Sequence, residues 1–427
     1  MKELRVTYRA FGAAVELGTL ADDGSDVLFQ YAPAAIAQRL ELSPIRLPLR
    51  PQAYPDEQAQ YVNLLRVPGL LHDSLPDGWG FRLMDRRMQA RGIDPATAST
   101  LDRLAYLGEN TMGALTYAPA TSDLTGGKDL GLLELAGEVQ AVLSDESHEV
   151  LAEMARAGGS AGGARPKAVV HFNSVTGRMS TQAGHAEGAE PWLIKFRGSD
   201  DAVDSCALEA LYAQVAQACG MGMAPTQFFE LNARRASGLT AFGTKRFDRL
   251  GEQRIHVHSL AGLLHANFQI PSLGYADFFR TTRRLTRDHR ELKKAVRRCA
   301  FNVLMHNRDD HSKNIAFLLD QENNWRLAPP FDLTYCPGYQ GEHFMDVAGE
   351  GKMPARSHIV KAAQAAGLDE KDAATIIDEV LDGATDAAFK ALAKALPVRA
   401  RTVTEVAKTI DGNRKRLSGN SGLKFTV

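Results

Sequence analysis

A run of polar residues from His306 to Asn314 holds the side chains best suited to chemistry. It follows a long helical pattern and precedes an apolar segment, Ile315–Leu319, that is typical of a strand. Asp309 and Asn314 stand five positions apart. At this spacing, phosphoryl-transfer loops place an aspartate that accepts a hydroxyl proton and an asparagine that binds Mg²⁺. A polar turn without a chemical role is the alternative.

A second acidic group, Asp332, follows Phe331 shortly after the short strand predicted at Trp325–Leu327. Protein kinases keep a Mg²⁺-binding aspartate at this point of the chain, within Asp-Phe-Gly. The match here is one of position and not of letters. One Asn and one Asp, together with phosphate oxygens, would suit Mg²⁺, which prefers hard oxygen ligands.

A glycine-rich segment runs from Gly158 to Lys167, between a predicted helix and a predicted strand. Glycines allow backbone N–H groups to face an anion, and the basic pair Arg165 and Lys167 favours such binding. The segment is not a Walker A loop, because Gly163 is followed by Ala and Arg. A glycine-rich surface connection remains the alternative.

Lys195 lies inside an apolar strand pattern, Trp192–Phe196. A buried charge without a partner is costly, so this side chain either points outward or meets an anion, as the strand lysine of kinases does. Glu209, on the following helix, is then a candidate partner or an ordinary exposed residue. Glycine loop, strand lysine, helix glutamate, catalytic loop and metal aspartate follow one another in the order found in protein kinases.

The elements that must hold these groups follow from periodicity. Alternating segments such as Leu4–Tyr8 predict strands, and Asp77 is predicted to cap a helix that ends near Gly92. The pattern through Tyr275–His306 predicts one long helical stretch. The fold class is predicted to be α+β, with an α/β front, a mostly helical back and a cleft between them. The chain is predicted to divide into three parts: an α/β N-terminal part at 1–120, a part with the glycine-rich loop at 121–248, and a helical part with the polar loop at 249–427.

Composition excludes several classes of protein. The 427 residues are 44% hydrophobic and 24% charged, which is typical of globular proteins of two or three domains and not of disordered chains. A net charge of −1 gives no overall attraction to nucleic acid or membrane. Four cysteines without a CxxC pair, and the lack of a signal peptide or an apolar run of about 20 residues, predict a cytoplasmic protein.

These motifs resemble the HipA-type serine/threonine kinases, toxins of a bacterial toxin–antitoxin system. The N-terminal family domain is matched by Leu47–Arg50, Leu75–Gly80 and Gly108–Leu115, and the kinase core by Ser160–Lys167, Lys195, Lys245–Arg249, Asp309–Asn314 and Pro330–Asp332. The resemblance covers nearly the whole chain and implies a protein-kinase-like fold. Arg165-Pro166 stands where the best-known members have Gln-Glu, which indicates an Arg-Pro-Lys subgroup.

The resemblance implies a role for each matching residue. Asp309 would be the catalytic proton acceptor, and Asn314 and Asp332 would hold Mg²⁺. The ATP site would be formed by Gly162, Gly163, Ala164, Arg165, Pro166, Lys167, Lys195, His311, Lys313, Asn314, Phe331 and Asp332, with Lys245, Arg246 and Phe247 as the hinge that reads adenine. Ser160 stands where the family autophosphorylates, and a phosphate there would eject the loop.

The family's partners are a helix-turn-helix antitoxin, through which DNA is contacted indirectly, and protein substrates that include aminoacyl-tRNA synthetases. The basic stretch Arg280–Arg298 is either a solvated face or a dock for an acidic partner. His256 and His258 lack a third ligand at a sensible spacing and are interpreted as ordinary polar positions. Two alternatives remain open: a kinase of a small molecule or lipid, and a non-catalytic pseudokinase that partners a repressor.

Overall fold

The computed structural model is a mixed arrangement of helices and strands, which confirms the predicted α+β class. Described residues are 1–55, 62–121, 129–144, 154, 162–182, 187–231 and 239–419. Among these residues, no helix is both long enough and apolar enough to cross a membrane.

An antiparallel four-stranded sheet forms the N-terminal part, in the order β3-β2-β1-β4. Its strands are β1 (Lys2–Tyr8), β2 (Val15–Asp22), β3 (Val27–Tyr31) and β4 (Leu115–Ala118). Leu4, Val6 and Tyr8 are buried at alternate positions of β1, so one face of the sheet meets the core, as the sequence pattern predicts. The helices of this part are α1 (Pro33–Ala37), α2 (Gly69–His72), α3 (Gly78–Ala90) and α4 (Thr100–Leu107).

Helix α3 begins directly after Asp77 and ends just before Gly92, whose φ is 74°. Asp77 occupies the N-cap position, but its side chain accepts no hydrogen bond from the helix. The carboxylate instead accepts hydrogen bonds from Gly163 and Lys313. The prediction of side-chain capping was therefore wrong, because donors remote in sequence occupy the capping oxygens.

A second antiparallel sheet has five strands in the order β6-β5-β7-β9-β8. They are β5 (Lys167–Phe172), β6 (Met179–Ser180), β7 (Glu190–Phe196), β8 (Thr226–Glu230) and β9 (Thr240–Lys245). Helix α5 (Leu132–Leu143) precedes the sheet, and helix α6 (Ser205–Ala218) packs against β8 and β9. Lys167 pairs directly with Lys195 across β5 and β7. A helix predicted at 148–157 falls, apart from Met154, outside the described residues.

The C-terminal part is mostly helical. Its helices are α7 (Leu260–Leu264), α8 (Tyr275–Thr286), α9 (His289–Leu304), α10 (Arg356–Ala365), α11 (Glu370–Gly383), α12 (Asp386–Ala393) and α13 (Ala400–Leu417). The predicted continuous stretch through Tyr275–His306 is in fact two helices. Arg287 has a left-handed backbone with a φ of 53°, and the Asp288 side chain accepts a hydrogen bond from the N–H of Arg290 and so starts α9.

Five short strands complete the fold: β10 (Arg249–Leu250), β11 (Gln253–Arg254), β12 (His256–Ser259), β13 (Ala316–Leu319) and β14 (Trp325–Leu327). β10 and β11 form a hairpin, and β12, β13 and β14 form a three-stranded sheet. The polar run His306–Asn314 connects α9 to β13 and ends in a 3-10 turn, Ser312–Asn314. It is thus held between a buried helix and a paired strand.

The three parts share one hydrophobic core, which extends in sequence from Leu4 to Leu417. Buried aspartates connect the parts at their seams. Asp73 accepts hydrogen bonds from the backbone N–H of Ser259 (2.7 Å) and pairs with His258 (2.6 Å). Each larger sheet falls within one predicted segment, 1–120 or 121–248, while the boundaries themselves remain predictions.

Asp248 makes the densest of these seam contacts. Its carboxylate pairs with Arg246 at 2.6 Å and with Arg249 at 2.7 Å, and it accepts the N–H of Gly113 at 2.8 Å. The last contact joins the N-terminal part to the end of the second sheet. Burial would raise the pKa of Asp248, but the two guanidinium charges outweigh it and hold the pKa well below its usual range.

We expect Asp248→Ala to lower the free energy of unfolding by about 3 kcal/mol or more, because it leaves two buried arginines without their shared carboxylate. Urea unfolding followed by circular dichroism measures the change. Asp386→Ala is the matched control, since it removes an exposed i,i+4 pair with Lys390 and should cost about 0.5 kcal/mol or less. An equal loss of unfolding free energy in the two variants would contradict the stabilising role of the Asp248 contacts.

Candidate functional site

Lys195 lies in a buried charge cluster. Its Nζ atom is 2.6 Å from Glu209 Oε1 and 2.6 Å from Asp332 Oδ1. Only 8% of the Lys195 side chain and 3% of the Glu209 side chain are exposed. The outward-pointing alternative for Lys195 is excluded, and so is the reading of Glu209 as an ordinary exposed glutamate.

Charge pairing fixes the ionisation of this cluster. Burial alone would lower the pKa of Lys195, but Asp332 and Glu209 outweigh it and raise the pKa above its usual value. Burial alone would raise the pKa of Asp332, and the ammonium groups of Lys195 and Lys167 reverse this and hold the pKa well below its usual range. Both residues therefore carry their charge at neutral pH.

Asp332 reaches the cluster through an unusual backbone conformation, with a φ of 57°. Aspartate tolerates this left-handed region better than most residues with a side chain. Its neighbour Phe331 is held by Arg298, whose guanidinium carbon lies 5.6 Å from the ring centroid. Arg298 also donates to the carbonyl of Asn314 at 2.6 Å, so one buried arginine connects the segment of Phe331 to the end of the polar loop.

The glycine-rich segment is described from Gly162 onward, and Ser160 lies outside the described residues. Lys167 folds back so that its ammonium donates to the carbonyl of Gly162. Arg165 lies 3.5 Å from Glu209 Oε2 and 3.3 Å from Asp201 Oδ2. Arg165 thus reaches Glu209, one of the two carboxylates that pair with Lys195.

Lys167 carries an unusual ionisation. Burial lowers its pKa to about 8, and the neighbouring charge of Lys195 acts in the same direction. The contribution of Lys195 follows from the strand register, which sets the two lysines opposite each other.

Asp309 and Asn314 lie together in the polar loop, as their spacing predicts. The Asn314 side-chain amide donates to the backbone carbonyl of Asp309 at 2.9 Å, which fixes the direction of the Asn314 carboxamide. The Asp309 side chain is 53% exposed and borders the cavity. Burial is nevertheless the main cause that raises the pKa of Asp309, with Asp332 adding to it and His311 opposing it.

The residues on either side of Asp309 hold the segment 337–353. Arg308 donates to the carbonyls of Pro337, Gly341 and Lys352. Asp310 accepts the N–H of Phe344 at 2.8 Å and pairs with His343 at 2.8 Å. Asp309 therefore stands between two anchored neighbours and has little freedom to move.

The predicted hinge begins at the last residue of strand β9. Lys245 pairs with Glu190 at 2.5 Å, and Arg246 is committed to Asp248. The ring of Phe247 lies 5.5 Å from that of Phe331, centroid to centroid. The Lys and Arg side chains are thus engaged in ion pairs, which leaves main-chain groups and the phenyl ring to meet a ligand.

A cavity of about 860 Å³ joins these groups. This volume is within the usual range for ligand sites. Predicted residues on its wall are Gly162, Gly163, Ala164, Arg165, Lys167, Lys195, Lys245, Arg246, Phe247, Asp309, His311, Lys313, Asn314, Phe331 and Asp332. Pro166 was also predicted to contact the nucleotide, but it is not among the wall residues.

The structure also bears on two secondary interpretations. Much of the basic stretch is neutralised within the chain, through the pairs Arg280–Asp277, Arg290–Asp288, Lys293–Asp372 and Arg297–Glu379. These pairs favour a structural face over a dock. His256 and His258 are buried, with hydrogen bonds to the Leu42 carbonyl and to Asp73 and Ser43. They act as core polar residues and not as a metal pair.

Sequence reasoning missed the contribution of the N-terminal part to this site. His72, Asp73 and Asp77 all line the cavity, and Asp77 contacts Lys313 at 2.5 Å. The one available signal was Asp77 in Leu75–Trp79, and its position before a helix had already been explained as a helix cap. Nothing in the local sequence indicates a partner more than 80 positions away.

Two family models match the sequence. The model of the HipA-like C-terminal domain matches residues 159–388, and that of the HipA N-terminal domain matches residues 9–118. No curated protein gave a match to the chain.

Among solved structures, HipA of Shewanella oneidensis MR-1, determined with HipB and operator DNA, is similar at a TM-score of 0.70 and 16% identity, over 97% of each chain. The Helicobacter pylori proinflammatory kinase CtkA aligns at a TM-score of 0.41 and 12% identity, over 54% of this chain and 89% of that chain, a likeness too distant to support an argument. The C-terminal family model alone spans more than half of the sequence. The chain therefore belongs to the HipA family, as its motifs predicted.

Proposed function

We propose that this protein is an ATP- and Mg²⁺-dependent protein serine/threonine kinase. The observation that carries the proposal is the buried ammonium of Lys195, paired with Glu209 and Asp332 on the wall of a cavity that Asp309 and Asn314 also line. Such a lysine–glutamate pair beside a metal-site aspartate is what kinases use to position phosphates.

The chain's own residues supply the proton chemistry. The acceptor hydroxyl oxygen would attack the γ-phosphorus of ATP, its proton would pass to the Asp309 carboxylate, and the bond to the leaving oxygen of ADP would break. A raised pKa makes Asp309 a better proton acceptor than an ordinary aspartate. Lys195, Lys167 and Lys313 would bind the phosphate oxygens.

The donors at this site fit Mg²⁺. Asn314 and Asp332 offer amide and carboxylate oxygens on the cavity wall, which are hard ligands. Within the described ranges, no cluster of three or more His, Cys, Asp or Glu side chains is arranged to hold a metal ion. Two protein ligands suit an ion that keeps water and phosphate oxygens, and bound Mg²⁺ would neutralise phosphate charge.

Adenine would lie along Lys245–Phe247, with Phe247 and Phe331 supplying apolar surface and the backbone supplying hydrogen bonds. His311 would line the same site, together with Ala164 and Arg165 of the loop. The acceptor would be a protein hydroxyl, and Ser160 of the chain itself would be one acceptor. A phosphate there would add a charge of roughly −2 beside a phosphate-binding loop and displace it.

The partners proposed for this chain rest on its family membership. HipA of Shewanella oneidensis was determined in complex with HipB and operator DNA, and its chain shares this fold over 97% of its length. This supports a DNA-binding helix-turn-helix antitoxin as the partner of this chain, with DNA contacted indirectly. We further propose that the protein acts as a toxin in the cytoplasm and that its substrate is a protein, for which aminoacyl-tRNA synthetases are the first candidates.

We expect Asp309→Asn to slow phosphoryl transfer by about 10²- to 10⁴-fold, because the amide cannot accept the hydroxyl proton. Intact-mass and peptide mass spectrometry after incubation with Mg²⁺–ATP, beside wild type and Ser160→Ala, measures the transfer and its site. Nucleotide binding should persist in Asp309→Asn and appear as a raised melting temperature.

Asp386→Asn serves as the control, since Asp386 lies on the surface, where it pairs with Lys390. Undiminished transfer by Asp309→Asn would overturn the assignment of the proton acceptor. A wild type that neither binds Mg²⁺–ATP nor acquires phosphate would favour the non-catalytic alternative.

Affinity for ATP should fall as the pH rises from 7 to 9, since Lys167 loses its proton near its pKa of about 8. In the unfolded chain this lysine stays charged to about pH 10.4. Between these pKa values the unfolded state binds the extra proton, so the contribution of Lys167 to stability rises with pH. Deprotonation of Lys167 therefore does not destabilise the fold at pH 9, so weaker ATP binding there cannot be attributed to unfolding caused by this residue.

Isothermal titration calorimetry of Mg²⁺–ATP at pH 7 and pH 9 measures this effect. Lys167→Arg is the matched variant, because a guanidinium keeps its charge throughout this range. A fall in affinity of equal size in wild type and Lys167→Arg would show that another group is responsible.

A further inference from the structure

The turn Asp77–Trp79 of the N-terminal part lies against the glycine-rich loop. The backbone N–H of Gly163 donates to Asp77 Oδ2 at 2.8 Å. The other carboxylate oxygen, Oδ1, lies 2.5 Å from the ammonium of Lys313. One carboxylate thus connects the loop above the cavity to the polar loop that carries Asp309.

Trp79 reinforces this contact from the same turn. Its backbone N–H donates to the carbonyl of Gly163 at 3.3 Å, and its indole Nε1 donates to the carbonyl of Lys167 at 3.0 Å. The indole is buried, with 2% exposure. Both the tip and the base of residues 162–167 are therefore held by main-chain and side-chain groups of the turn.

Close packing makes the contact specific. A Cβ atom added to Gly162 would lie 3.0 Å from Asp77 Oδ2, and one added to Gly78 would lie 3.4 Å from the Cα of Ala164. Small residues on both sides allow the backbones to approach to hydrogen-bonding distance. The turn and the loop are thus complementary in shape as well as in hydrogen bonding.

Asp77 occupies the N-cap position of α3 but does not form the hydrogen bonds that are usual there. An aspartate before a helix normally accepts N–H groups of the first turn, which stabilises the helix by about 1 kcal/mol. Asp77 makes no such bond and places both oxygens outside the helix. Since its charge is balanced by Lys313, it adds little repulsion toward an incoming phosphate.

We propose that Asp77 is a positioning residue that closes the glycine-rich loop over the cavity and holds Lys313 beside it before nucleotide binds. The inference rests on the proposed function for its ligand, ATP. A loop that is already ordered loses little conformational entropy when the ligand binds, so more of the interaction free energy appears as affinity. Loss of Asp77 should therefore weaken ATP binding and raise KM more than it lowers kcat.

Asp77→Ala, Asp77→Asn and Asp85→Asn separate the contributions. The asparagine keeps an oxygen for the Gly163 N–H but cannot form the ion pair with Lys313. Asp85 lies on α3, the helix that Asp77 precedes, and pairs with Arg103 at 2.6 Å, remote from the loop contacts. It controls for a lost aspartate charge on α3.

Hydrogen exchange of peptides covering residues 162–167, in the full chain without nucleotide, reads the contact directly. We expect faster exchange in Asp77→Ala, partial protection in Asp77→Asn and wild-type protection in Asp85→Asn. Calorimetry with Mg²⁺–ATP should show a Kd raised about tenfold or more in Asp77→Ala, as the loss of charge-assisted hydrogen bonds implies, with a smaller rise in Asp77→Asn.

Wild-type exchange of the loop and an unchanged Kd in Asp77→Ala would overturn the proposal. So would faster exchange spread evenly over the N-terminal part, which would show a merely structural role. If the wild type binds no Mg²⁺–ATP, the proposed function fails, and loop exchange alone then decides whether Asp77 holds the loop.

Discussion

The buried ammonium of Lys195 is the constraint on which the arrangement of the site depends. A charge removed from water costs several kcal/mol unless oppositely charged partners are fixed beside it. Glu209 and Asp332 supply those charges from helix α6 and from the segment after β14. The sheet that contains β7, helix α6 and the C-terminal part must therefore keep fixed relative positions. These positions determine the shape of the cavity.

Aspartates perform the same task at the seams of the molecule. Asp77 and Asp248 each face donors from two segments that are far apart in sequence, and Asp73 faces His258 and Ser259 of the distant strand β12. Their carboxylates are acceptors with several lone pairs, so one side chain satisfies buried groups from two elements at once. The N-terminal part is in this way a component of the cavity wall and not an appendage to it.

Local patterns predicted much of this structure, because periodicity and turn residues act over a few positions. Alternation in Leu4–Tyr8 and the apolar strand around Lys195 correspond to observed strands, and the polar loop lies between the helix and strand that flank it. The break at Arg287 escaped prediction, since apolar spacing continues across it. The seam contacts of Asp77 escaped too, because a helix-start signal and a long-range contact use the same residue type.

The Arg308 guanidinium donates hydrogen bonds to the main-chain carbonyls of Pro337, Gly341 and Lys352. Every residue type has a carbonyl, so these three contacts do not depend on the side chains of Pro337, Gly341 and Lys352. Tyr339 and Met353 stand on the same segment, 337–353, with 83% and 57% exposure. Substitution of these two exposed side chains would therefore leave the main-chain contacts of Arg308, and with them the frame around Asp309, in place.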